Sequence, residues 1–89
     1  MTNQSQISLE VIASKVKEYI LREFLPGEEP DKLSDSTPLV TGRILDSLAT
    51  MRLVPFLEGQ FNIELEPHEI SVENLDTIEI IANFVVSKL

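Results

Sequence analysis

The sequence predicts an all-α domain: a four-helix bundle with three long helices and a short third one, and a long ordered loop between the first two. Three observations carry this. Apolar residues recur at three- and four-residue spacing in segments near each end and in the middle of the chain. Proline, glycine and aspartate cluster between those segments. The one stretch that alternates as a strand would, 61–65, is too short and isolated to find a pairing partner.

Residues 1–6 are polar and are expected to form a flexible N-terminus, leaving 7–89 as one domain. From about Ile7 to Phe24, the apolar Leu9, Ile12, Val16, Tyr19, Ile20 and Phe24 fall on one helical face. Glu10, Lys15, Glu18 and Arg22 lie away from its centre, and Pro26-Gly27 closes the helix. The segment 25–46 is rich in turn formers, yet Leu33, Leu39, Val40, Ile44 and Leu45 are spaced along it as anchors. An ordered loop pinned to the core is expected, with a short helical turn near its start. A second helix begins at Asp46-Ser47 and is expected to stop at Gly59. Phe61, Ile63 and Leu65 then form a packed connector. Pro67 suits a first helical position and places the short third helix around 67–71. Asp76 or Thr77 caps the last helix, whose Ile78, Ile81, Ala82, Val85 and Leu89 share one face.

Composition narrows the function. The chain has 89 residues, no cysteine and a net charge of −8. A disulfide scaffold, a thiol nucleophile and thiolate metal sites are excluded. Nucleic acid and anionic membrane surfaces are poor partners for so acidic a chain, whereas basic or mixed-charge proteins complement it. Without a signal-peptide pattern or a run of membrane-spanning length, a cytoplasmic monomer is expected.

The second helix has two apolar faces. Leu53, Val54, Leu57 and Phe61 form a core stripe, while Leu48, Met51 and Pro55 lie roughly opposite. An apolar strip on the water-facing side reads as a protein-docking surface. The plainer alternative is a helix buried on both sides, or a few scattered surface apolars. Pro55 removes a backbone donor and is read as a structural kink whose freed carbonyl faces water. Ser47 stands at the head of this helix, where most serines only cap. A triad of Ser47, His68 and an aspartate lacks a nucleophile elbow and a pocket, and His68 is read as solvent-facing. Asp31-x-Leu33-x-Asp35 misses the calcium-loop pattern, so no metal is expected.

The surroundings of Ser47 change its meaning. Gly42, Asp46-Ser47-Leu48, Leu53, Leu57-Glu58 and Phe61-x-Ile63 together resemble the acyl carrier protein and peptidyl carrier protein family, whose motif is G-x-x-D-S-L, then L-x-x-x-L-E and F-x-I. The glycine sits one residue further from the aspartate than in that motif. The resemblance spans nearly the whole chain and implies a discrete, non-catalytic carrier of that family's bundle type. It implies that a phosphopantetheinyl transferase attaches 4′-phosphopantetheine from coenzyme A to Ser47, and that Asp46 helps the transferase engage. It also implies that cargo rides as a thioester on the arm's thiol, loaded by an adenylating ligase or acyltransferase and passed to downstream biosynthetic enzymes. Asp46, Leu48, Met51 and Arg52 are the expected partner-recognition residues. Fatty-acid carriers usually line the second helix with carboxylates. Here 48–59 holds only Arg52 and Glu58 as charges, with Ala49 and Arg52 where acids tend to stand. A nonribosomal peptide or polyketide-type pathway is therefore expected, with a fatty-acid carrier or an unmodified helical adaptor as the alternatives.

Overall fold

The computed structural model describes residues 8–89 and is all-helical; the polar stretch 1–6 and the start expected at Ile7 lie outside the described residues. Four α-helices are α1 (Leu9–Phe24), α2 (Ser47–Phe61), α3 (Val72–Leu75) and α4 (Ile78–Lys88), with short 3-10 turns at Pro30–Lys32 and Pro67–Glu69. The bundle expected from the periodicity is present.

α1 starts where the Ser8 hydroxyl accepts the Val11 N–H at 3.2 Å, satisfying a donor that a helix start leaves open. Ile12, Val16, Tyr19 and Ile20 turn inward, but Leu9, counted on the same face, is exposed because it lies in the first turn beyond the bundle's edge. The helix ends on Leu25, and Leu25 to Glu28 form a turn with a 3.1 Å bond from the Glu28 N–H to the Leu25 carbonyl. Pro26 presets one central position of that turn, and Gly27 takes the other at φ 90°.

The long loop is anchored as expected. Leu33 and Leu39 are fully buried, and Leu45 nearly so, while Val40 and Ile44 pack against the core from its margin. The Glu79 N–H reaches the Asp35 carbonyl at 3.0 Å and ties the loop to the head of α4.

Two boundaries differ from the expectation. α2 does not stop at Gly59, which stays inside the helix; it runs to Phe61, and Asn62 adopts the left-handed conformation at φ 58° instead. Burial of Phe61 carries the helix on past the glycine. The third helix is not at 67–71. Pro67 opens only a 3-10 turn, with Glu66 and Glu69 bonding each other's backbone. The α-helix starts five residues after Pro67, at Val72, where Leu75 drops into the core. Thr77, not Asp76, caps α4, its hydroxyl accepting the Ile80 N–H at 3.0 Å. Leu89 is half exposed rather than core, since it follows the last helical residue.

α1 and α2 are joined by an aromatic seam. The Tyr19 ring stacks on Phe56 at 4.0 Å, and its hydroxyl donates to the Arg52 carbonyl at 3.1 Å. Burial pushes the Tyr19 phenol above its ordinary pKa.

Candidate functional site

At the head of α2 the two candidate caps divide the work. Asp46 is the N-cap: its Oδ1 accepts the Ala49 N–H at 2.8 Å, and its carbonyl accepts the Thr50 N–H at 2.9 Å. Ser47 is the first helical residue and is exposed. No protein hydrogen bond engages its hydroxyl among the described residues. The capping role that most serines in this setting fill is taken by the aspartate, and the Ser47 oxygen stands free.

The loop ahead of it is tightly folded. The Ile44 and Leu45 N–H groups both donate to the Leu39 carbonyl at 2.8 Å. Gly42 passes so near Pro38 that a Cβ there would lie 2.4 Å from the Pro38 carbonyl oxygen, which explains why this position is glycine. The left-handed residue of the loop is the next one, Arg43, at φ 68°. The offset glycine in the motif thus has a physical reading: here close approach is met at 42 and left-handed backbone at 43, by different residues.

The outer face of α2 is as apolar as its spacing suggests. Leu48 is 71% exposed and Met51 63%, and Pro55 is exposed within an unbroken helix. Leu53, Leu57 and Phe61 are buried on the other side, with Val54 at the margin. Both charges of the helix are engaged within the chain. Arg52 Nη2 donates to Glu23 Oε1 at 3.0 Å, and its guanidinium lies over the Phe24 ring at 5.3 Å. Glu58 Oε2 accepts the Leu65 N–H at 2.9 Å, holding the connector against α2. Ala49 is a core residue, so its lack of charge reflects packing, and only Arg52 stands as a departure on the exposed face.

A groove of about 600 Å³ lies beside Ser47, lined by Leu45, Thr50 and Met51 and by Ile70, Val72 and Leu75. His68 lies exposed on the 3-10 turn, no hydrogen bond links it to Ser47, and it does not line this groove. Among the described residues no three His, Asp or Glu side chains gather to hold a metal ion, and no helix is long and apolar enough to cross a membrane.

A further contact ties the loop ahead of α2 to the end of α3. Asp76 Oδ1 accepts the Val40 and Thr41 N–H groups, each at 2.9 Å, and the Thr41 hydroxyl reaches Oδ2 at 3.0 Å. These donors, led by the Thr41 N–H, hold the Asp76 carboxyl below the usual carboxylate range. Its position before a helix marked it only as a possible cap.

Fold and site define a small helical bundle that displays a free serine hydroxyl at a helix head, beside an exposed apolar strip. The chain is 35% identical, over 69 residues, to a protein named probable acyl carrier protein PigG from Serratia sp. (strain ATCC 39006), the match covering 78% of each. No family model matches the chain. It belongs to the acyl carrier protein family, and its role is that of a carrier.

Proposed function

We propose that this carrier tethers acyl or aminoacyl intermediates through a 4′-phosphopantetheine arm on Ser47. The observation that carries the reading is the division at the head of α2, where Asp46 caps and Ser47 remains exposed, its hydroxyl unbonded among the described residues. Attachment joins the Ser47 oxygen to the phosphorus of the incoming group. The pyrophosphate bond of coenzyme A breaks, 3′,5′-ADP leaves, and the hydroxyl proton passes to a base of the transferase.

The residues present fit the product. A phosphodiester is an anion, and the open N–H groups of Ser47 and Leu48 in the first turn of α2 favour an anion there. The arm, once bound, supplies a thiol that carries cargo as a thioester, so a cysteine-free chain needs no sulfur of its own. Asp46 keeps one carboxylate oxygen outside the cap bond and can meet the transferase.

Leu48 and Met51 would give partner enzymes an apolar foothold within one turn of Ser47. With Arg52 bound to Glu23 and Glu58 bound to the Leu65 backbone, α2 offers little for a basic patch to read. Charge sets partner choice and encounter rate. This supports loading by an adenylating ligase or acyltransferase of a nonribosomal peptide or polyketide-type pathway over a fatty-acid one. Loading assays with amino-acid adenylating enzymes against fatty-acid enzymes separate the two.

Intact-mass measurement after reaction with coenzyme A and a broad-specificity phosphopantetheinyl transferase tests the reading. The parent gains one phosphopantetheine, and Ser47→Ala gains none while keeping its helicity. An unchanged parent mass contradicts the carrier arm and favours an unmodified adaptor that docks through the Leu48/Met51 strip.

A further inference from the structure

We propose that Asp76 is a positioning residue for Ser47, its carboxylate clasping the loop ahead of α2 to the end of α3. The proposal rests on the carrier reading above.

Asp76 follows α3 directly and is half-buried. Three donors converge on its side chain: the Val40 N–H, the Thr41 N–H and the Thr41 hydroxyl. Its own carbonyl accepts the Leu39 N–H. From there the connection to the site is unbroken. The Leu39 carbonyl takes the Ile44 and Leu45 N–H groups at 2.8 Å. Leu45, 1% exposed, is anchored in the core and precedes Asp46, which caps α2 through Ala49. Every joint between Asp76 and Ser47 is a hydrogen bond or a peptide bond.

The clasp also borders the groove beside Ser47. Val40 and Leu45 of the loop line that groove together with Val72 and Leu75 of α3, the helix that Asp76 follows. The bond from the Val40 N–H to Asp76 ties a lining residue of the loop to the end of α3. The loop it restrains carries left-handed Arg43, and backbone of that kind persists only where its surroundings over-determine it. A carboxylate is the group suited to the task. Its charge strengthens the two backbone N–H bonds at Oδ1, which a neutral amide oxygen makes more weakly, and a glutamate overshoots by a methylene.

The test measures transferase kinetics on Ser47, with saturating coenzyme A and a broad-specificity phosphopantetheinyl transferase, together with amide hydrogen exchange. Asp76→Ala is expected to lower kcat/KM for modification by about tenfold, the scale at which modest misplacement of a reacting group acts. Asp76→Asn and Thr41→Val should each fall between that variant and the parent, and Thr41→Ser, which restores the hydroxyl donor, should match the parent. In Asp76→Ala, exchange protection should fall together at Val40, Thr41, Ile44 and Leu45. Unchanged kcat/KM in folded Asp76→Ala, or lost protection confined to Val40 and Thr41, overturns the proposal. If the parent itself is not modified, the carrier reading fails, and the exchange pattern alone still decides whether the clasp reaches the head of α2.

Discussion

At the scale of single residues, the freedom of the Ser47 hydroxyl depends on which of two neighbours caps α2. Asp46 and Ser47 are both good N-cap types, and sequence alone leaves the assignment open. The preceding loop decides it. The Leu45 N–H is drawn back to the Leu39 carbonyl, so Asp46 is the last extended residue, and its side chain reaches Ala49. Arg43 holds a backbone conformation that its residue type does not announce. Its left-handed φ of 68° is three residues before Asp46, where the family motif has its glycine. A non-glycine residue there costs about 1–2 kcal/mol, and glycine returns part of that as unfolded-chain entropy. Arg43→Gly should therefore raise stability by about 0.5–1 kcal/mol in chemical denaturation; a loss would show that the Arg43 side chain makes a contact worth more than the strain.

At the scale of elements, the helices were legible wherever apolar spacing and burial agreed. Leu53, Leu57 and Phe61 face inward, and Leu48 and Met51 face water, as their angular positions require. What stayed hidden were the ends. Gly59 looked like a stop, but nothing lies near its Cα to demand glycine, and the burial of Phe61 outweighs its low helix propensity. α3 lies beyond the expected 67–71 because Pro67 marks a start without fixing how far helix follows, and the Leu75 anchor sets its position. The two faces of α2 make a paired prediction. Leu48→Glu and Met51→Glu should slow partner reactions while shifting stability by less than about 0.5 kcal/mol. Leu53→Ala, at a fully buried site, should cost about 2–5 kcal/mol. Denaturation of the three variants beside the parent checks both, and a large cost at Leu48 or Met51 would make those residues core.

At the scale of the whole molecule, one thin apolar core is supplemented by a few polar ties across the fold. Lys88 binds Glu69 at 2.8 Å and joins the end of α4 to the 3-10 turn; this bond, above all, holds the Glu69 carboxyl below its ordinary range. The Asp76 carboxyl is lowered likewise, by the Thr41 N–H first. A carboxyl whose folded pKa lies below its unfolded value stabilises the fold fully above the unfolded value, about 4. That contribution is lost as pH falls through the depressed folded value. Thermal stability should therefore hold steady at neutral pH and decline below about pH 4. Asp76→Asn combined with Glu69→Gln should flatten the decline, and an unaltered acid slope would show that other carboxylates govern it. None of these long-range ties could be read from the sequence, because Asp76 meets Thr41, and Lys88 meets Glu69, only once the bundle has closed.

The most direct measurement locates the modification itself. The parent protein is reacted with coenzyme A and the transferase, then digested and sequenced by tandem mass spectrometry. A single phosphopantetheine is expected on the fragment containing Asp46-Ser47-Leu48, borne by the serine. Modification at any other hydroxyl, or none at all, would contradict this.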